Sequence, residues 1–363
     1  MQTILAVFPS IALILAFSAS IWSQQPQPSP AQAKELGQLQ KSGGEAQLRG
    51  ISAVSDKIAW ASGSNGTVLR TVDGGATWQK LEIVGAENLD FRNIRAFDKD
   101  TAYVLSIGEG DKSRIYKTTD GGRIWQRQFT NYNSNAFYDC FAFWDSTHGI
   151  AMSDSVDGKF PLISTSDGIN WNPVLVKKMP DALTKEGAFA ASGTCIATFG
   201  KNDVWFATGG PAARVFHSSD RGINWTVSET PIIHGETTQG IFSIAFWTTK
   251  DGIAVGGDYK EPSKGGGNAA TTHDGGQTWK LTSSSPQGYR SAVAVAGSPS
   301  HLVAVGTSGA DESSDQGQTW KHLDDGNYNA LSFAGHAGWA VGPDGRIVQI
   351  GHSSTAQPAA DKK

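Results

Sequence analysis

Cysteine is nearly missing from this chain: 2 of 363 residues, Cys140 and Cys195. That is too few for a disulfide framework, a four-thiolate zinc site or an iron–sulfur cluster. The 8 histidines are scattered, without HExxH or another paired spacing, so no metal centre is expected. Charge of one sign is not in excess either. Thirty Lys+Arg against 34 Asp+Glu leave a net charge of -4, which excludes a general affinity for nucleic acid or for an anionic membrane surface. Helical periodicity is almost absent. No flavin, nicotinamide or haem signature is visible, since the Gly-rich GGDYKEPSKGGG lacks the strand-to-helix setting that gives such motifs meaning; no cofactor is expected.

What the chain does have is 43 Gly, 12 Trp and 16 Phe with only 18% charged residues, a composition too apolar and aromatic for disorder. One long apolar run occurs, Ile4 to Phe17, followed by Ser18, Ala19, Ser20 and a Gln/Pro/Ser-rich stretch. It reads as a signal peptide over 1–23, although no Lys or Arg precedes it; an uncleaved anchor fits its length less well. A polar linker is expected over 24–37 and a disordered tail over 353–363. The mature protein is therefore expected to be exported, periplasmic or secreted, with no membrane span.

One short motif recurs six times: TVDGGATW (71–78), TTDGGRIW (118–125), TSDGINW (165–171), SSDRGINW (218–225), THDGGQTW (272–279) and SSDQGQTW (313–320). Asp73, Asp120, Asp167, Asp220, Asp274 and Asp315 can each accept backbone N–H groups across a hairpin turn, and Gly supplies the positive φ of the reversal. Trp then opens the outgoing strand as a packing anchor. Upstream of most copies lies an apolar strand, a turn and a second strand, as in KIAWASGSNGTVLRT (57–71) and GWAVGPDGRIVQI (338–350). Each unit thus reads as four short strands. The motif tryptophans are 47, 46, 54, 54 and 41 positions apart, close to the 40 to 50 residues of a propeller blade. Seven units follow, over 48–83, 91–130, 136–176, 187–230, 240–283, 288–324 and 328–350. The last has three strands, so its outer strand is expected from 36–47. The fold expected over 38–352 is all-β: a seven-bladed β-propeller of four-stranded antiparallel blades, closed by an N-terminal outer strand in the last blade.

The S/T-x-D-x-G-x-T-W pattern is similar to the Asp-box, or BNR repeat, of sialidases and sortilin-type receptors. Together with the upstream AVG-type strands, residues 48–350 most resemble the photosystem II stability/assembly factor family. That resemblance implies a seven-bladed exported propeller whose role is binding or assembly. The fold alone also hosts hydrolases.

In a propeller the third-to-fourth-strand turns share one face, so the six motif aspartates are structural. The starts of the inner strands and the second-to-third-strand loops share the other. There the first group is Arg49, Arg92, Asp139, Glu186, Phe242, Arg290 and Tyr328. The second is Asp154, Asp157, Arg214, Asp258, Tyr259 and Lys260. Opposite charges converging on one mouth make a recognition site, or else pair with one another to close the channel and satisfy the loops. Arg92, Arg214 and Arg290 are expected to hold a protein segment or a small acidic ligand, with Asp139, Asp154, Glu186, Asp258, Tyr259 and Tyr289 orienting them. The alternative is a glycan-directed, sialidase-like hydrolase using Asp139, Glu186 and Tyr289. Against it, FRNI lacks the proline of the sialidase FRIP motif and seven units exceed six. The loop 258–268 reads as a flap or an unstructured insertion. Cys140 and Cys195 are expected to be free buried thiols, a single disulfide between them being the alternative in an exported protein; His148, His217 and His273 are expected to be isolated, and the protein to be a monomer.

Overall fold

The computed structural model describes residues 36–351. The leader, nearly all of the linker, and the tail expected over 353–363 lie outside the described residues. The chain forms seven four-stranded antiparallel sheets. Six are continuous in sequence, spanning 48–81, 90–130, 138–173, 196–229, 239–281 and 292–324, and are called blades 1 to 6. Blade 7 combines three strands over 330–350 with Gln38–Gln40 as its outermost strand. The first strand of every blade is innermost, and each touches the next in a closed series, blade 7 returning to blade 1. The only helical element among the described residues is a single 3-10 turn, Gly110–Lys112.

Closure rests on Gln40. Its strand pairs antiparallel with the end of the chain, Gln38 opposite Gln349 and Gln40 opposite Ile347. The Gln40 side chain then reaches across to blade 1. Its Oε1 accepts from the indole N–H of Trp78 at 3.0 Å and of Trp339 at 3.1 Å, and its Nε2 donates to the Gly74 carbonyl at 2.9 Å. One amide therefore joins the clasp strand, the seventh blade and the first motif turn.

Around the axis, side chains of the inner strands bond to the neighbouring blade. Ser52 Oγ accepts from the Ala96 N–H, Ser243 Oγ from Val293 and Ser332 Oγ from Ala53, each at 3.0 Å. Asn93 Nδ2 donates to the Phe141 carbonyl at 3.1 Å, Thr198 Oγ1 to Phe143 at 2.7 Å, and Ser291 Oγ to Asn329 at 2.7 Å. Thr194 Oγ1 meets Ser243 Oγ at 2.7 Å. These bonds satisfy inner-edge groups that apolar packing between blades cannot.

A covalent bridge adds to them. Cys140, on the inner strand of blade 3, and Cys195, immediately before that of blade 4, form a disulfide, with Cα atoms 6.1 Å apart and both residues fully buried. This corrects the expectation of free thiols. Adjacent blades bring two inner strands within bridging range, a proximity that 55 residues of separation conceal.

The motif turns behave as their residue types require. Thr71 Oγ1 donates to Asp73 Oδ1 at 2.8 Å, while Asp73 also accepts from the Thr77 N–H at 3.0 Å and the Thr77 hydroxyl at 2.6 Å. These donors, the Thr77 hydroxyl foremost, hold the Asp73 carboxyl down at about 2. Asp120, Asp167, Asp220, Asp274 and Asp315 accept equivalent bonds. The motif tryptophans of blades 3, 4 and 5, Trp171, Trp225 and Trp279, are buried between sheets.

Blade 4 departs from the expected layout. Its inner strand is Ile196–Phe199, nine residues later than the expected start at 187. Residues 187–194 instead cross the channel. Asn93 of blade 2 donates to the Gly193 carbonyl at 3.0 Å, and Ser192 Oγ donates to Ser291 O of blade 6 at 2.7 Å. The Ala188 N–H donates to Asp154 of blade 3 at 2.8 Å. Phe189 stacks on Phe242 of blade 5 with ring centroids 3.8 Å apart. Glycine is required here for space: a Cβ on Gly193 would lie 2.5 Å from the Asn93 side chain, at a backbone φ of +74°. The crossing segment plugs the ring.

Candidate functional site: a bulge-built mouth above the plug

Four inner strands are interrupted by a register shift near their start. The extra residues are Arg49 in blade 1, Arg92 in blade 2, Asp139 in blade 3 and Phe242 in blade 5. A β-bulge leaves one residue unpaired and re-aims its side chain. The same irregularity thus recurs in four blades at the positions the sequence singles out.

Arg92 donates from Nε to Asp90 at 2.8 Å and from Nη1 to the Ala190 carbonyl of the plug at 3.1 Å. It keeps 27% of its side chain exposed, and Asp90 31%. Arg49 lies close enough to Arg92 for their like charges to interact. Burial first, then Arg92, lowers its pKa, with Tyr289 and Asp90 opposing. Tyr289 is buried edge-on against Phe242, 4.7 Å between centroids, and burial raises its phenol strongly. Tyr259 stands beside Phe242 and is 45% exposed. The floor is aromatic and the walls are ionic.

Asp139 is 1% exposed. Burial, then the neighbouring Asp154, pushes its carboxyl well above the usual carboxylate range, with Arg92 acting the other way. Asp154 is pushed up to about 6 by burial, against the N–H bond from Ala188. Two adjacent carboxyls of this kind hold a proton where isolated ones would not. Asp139 can therefore donate a hydrogen bond as well as accept one. Three side-chain atoms of this cluster are buried without any partner: Arg49 Nε, Asp90 Oδ1 and Asp139 Oδ2. Unsatisfied buried groups are costly, and these three share one mouth.

Arg290, Arg214 and Glu186 do not offer free groups to that mouth, and the expectation for them is corrected. Arg290 has no exposed surface. Its Nε donates to Asp311 Oδ2 at 2.6 Å, Nη1 to Tyr289 O at 2.8 Å and Nη2 to Gln287 O at 2.6 Å. Arg214 forms a two-point pair with Glu186, 2.8 Å on the Nε side. Both Glu186 oxygens are further held, by the Thr208 hydroxyl at 2.6 Å and the Leu183 N–H at 2.7 Å. Glu186 thus has no oxygen left for proton transfer, which removes the base from the Asp139–Glu186 pairing. These residues precede or flank strands without a bulge, and third-strand groups draw them in. Tyr328 is also tied up, its hydroxyl donating to Asp324 on the outer strand of blade 6 at 2.9 Å.

Asp258 is nearly buried and caps its own loop, accepting from the Lys260 N–H at 2.9 Å and from Gln239 at 3.1 Å. The loop beyond it is docked on blade 6. The Pro262 carbonyl accepts from the Tyr289 N–H at 2.9 Å and the Ser308 hydroxyl at 2.5 Å. Asp157 is exposed in a positive-φ turn, and Lys260 is exposed. The histidines named earlier each meet an aspartate at 2.9 Å: His148 with Asp145, His217 with Asp203 and His273 with Asp251.

Asp90 and the plug escaped the sequence reading. The plug left a trace, the small-residue run GAFAASGT (187–194) inside a 54-residue Trp-to-Trp interval, eight longer than the one before it. Asp311 lies in the mostly buried strand GADES (309–313), where Glu312 beside it hides it as one of two adjacent acids.

The architecture has solved counterparts. It is the fold of YCF48. A structure described as YCF48 bound to D1 peptide superposes with a TM-score of 0.65 at 15% identity, over 88% of this chain and 98% of that one. YCF48 from Cyanidioschyzon merolae gives 0.57 at 20% identity, over 87% and 99%. The computationally designed Ika8 protein gives 0.54 at 12% identity, over 87% and 99%. No family model and no curated protein matches the sequence. The resemblance to photosystem II assembly factors read from the repeats is met by the YCF48 structures at the level of the propeller.

Proposed function

We propose that this protein is an exported, non-catalytic binding or assembly propeller that holds a segment of another protein in the mouth above the plug. The observation that carries the reading is the cluster of unpartnered buried atoms on Arg49, Asp90 and Asp139 around an aromatic floor. A segment with an acidic or carbonyl group would engage Arg49 and Arg92, while its amides or cationic groups would meet Asp90, Asp139 and Asp154. Tyr259 and Phe242 would pack against its apolar part. A chain lying across the mouth would also meet the plug residues Phe189 and Ala190, which contact Phe242 and Arg92. One YCF48 structure of this fold carries a peptide, which supports a protein segment over a small molecule. Export is supported by the apolar run at 4–17 and by the buried disulfide, since such bonds persist in oxidising compartments.

A photo-crosslinking residue in place of Tyr259, at the exposed rim, tests the reading. Expressed in its natural host, the protein should capture a peptide segment, and Arg49→Gln with Arg92→Gln should abolish capture while the fold is kept. Capture unchanged in that double variant, or arising only from a crosslinker placed on the motif-turn face, would refute the mouth as the binding site.

A further inference from the structure

Below the plug the channel opens into a separate cavity of about 440 Å³, lined by the inner strands of all seven blades and by Ser192 to Thr194 of the plug. Its lining is apolar or hydroxylic apart from Asn93 and Arg95. Arg95 is the only ionisable residue in it. Arg95 retains solvent contact, yet the surrounding protein lowers its pKa by desolvation. Its guanidinium lies over the Phe97 ring at 5.5 Å and forms no ion pair or side-chain hydrogen bond with the described residues. Phe97 faces apolar rings, Tyr103 and Phe143, so no carboxylate stands behind it. Every other arginine of the inner strands, bar Arg49 at the mouth, is matched to an acid.

An arginine cannot shed its proton in a protein, and this one faces the channel exposed and with no acid paired to it, so its counter-charge has to come from outside the chain. Donors stand nearby. Ser52 Oγ accepts from the N–H of Ala96, the residue after Arg95, and Ser332 Oγ accepts from Ala53. In both, the hydroxyl proton has no acceptor among the described residues. We infer that this lower chamber binds a small oxyanion, held by the planar fork of Arg95 with serine hydroxyls beside it. The site is independent of the mouth, since the plug and Asn93 separate the two.

Inorganic phosphate is the probe. Titrated into the full chain by calorimetry at fixed ionic strength, it should bind saturably at one site and raise the melting temperature in step. Arg95→Gln should weaken that binding at least tenfold, and Arg95→Lys should retain part of it. Lys321→Gln, an exposed charge on the outer strand of blade 6, should bind phosphate as the natural protein does. Phosphate binding that is undetectable in the natural protein, unaltered in Arg95→Gln, or lost in Lys321→Gln would each overturn the assignment. Removing an unpaired charge does not threaten folding, and circular dichroism of Arg95→Gln verifies this. Peptide capture at the mouth should survive Arg95→Gln, so either proposal can fail without the other.

Discussion

At the scale of single residues, the same side-chain type takes opposite roles according to what meets it. Arg290 is locked by Asp311 on its own blade, whereas Arg49, on a bulge, has an Nε with no partner. Position in the repeat was readable; the acid that would neutralise it was not, because that depends on which third-strand residue faces inward. The raised carboxyls make a checkable consequence. Asp154 moves from 3.8 up to about 6 on folding. A carboxyl raised in the folded state contributes stability below its unfolded value and loses it as pH rises through the folded one. Asp154→Asn keeps an oxygen for the Ala188 N–H and removes the charge. It should therefore leave the melting temperature near that of the natural protein at pH 4 and raise it at pH 8, by the equivalent of about 3 kcal/mol. A difference that does not grow between those pH values would show that the carboxyl is not destabilised by its surroundings.

At the scale of elements, the six motif turns are variations on one hydrogen-bonding scheme, and the variations have predictable costs. The second copy has Ile124 where the first has Thr77, so Asp120 lacks the side-chain bond that Asp73 receives from a hydroxyl at 2.6 Å. Ile124 is moreover 66% exposed. Ile124→Thr should stabilise the protein by about 0.5–1 kcal/mol, read as a shift in the urea midpoint at constant slope. No gain, with Asp120 still free of the new hydroxyl by NMR, would mean that the turn geometry of the two copies differs. The turns were legible because their chemistry is local: Thr, Asp and Gly act on groups within four residues. The plug was not, because Gly187 and Gly193 serve contacts with Asp154 and Asn93 on other blades. The bulges were half legible. Their residues stood out as polar interruptions, while the shift in register that aims them is a property of strand pairs.

At the scale of the whole molecule, seven blades could be counted from six tryptophans and a three-strand remainder, and the missing strand falls inside the expected 36–47. The clasp strand is tied to blade 1 through one side chain. Gln40→Ala removes bonds to Trp78, Trp339 and Gly74 and leaves two indole N–H groups without acceptors. A loss of about 2–4 kcal/mol is expected in denaturant unfolding. Hydrogen exchange should quicken first in Gln38–Gln40 and Ile347–Ile350. Exchange rising uniformly over all blades instead would place the weak point elsewhere.

The clasp also imposes an order on biogenesis. Gln38–Gln40 leaves the ribosome before every other strand of the blades and finds its partner only when Ile347–Ile350 has followed. Until then six sheets have a stack but no circle, and both end sheets present bare flanks on which a neighbouring nascent chain could pair. A protein built this way gains from meeting its first chaperone at the amino end, and its slowest step should be the meeting of its own two ends.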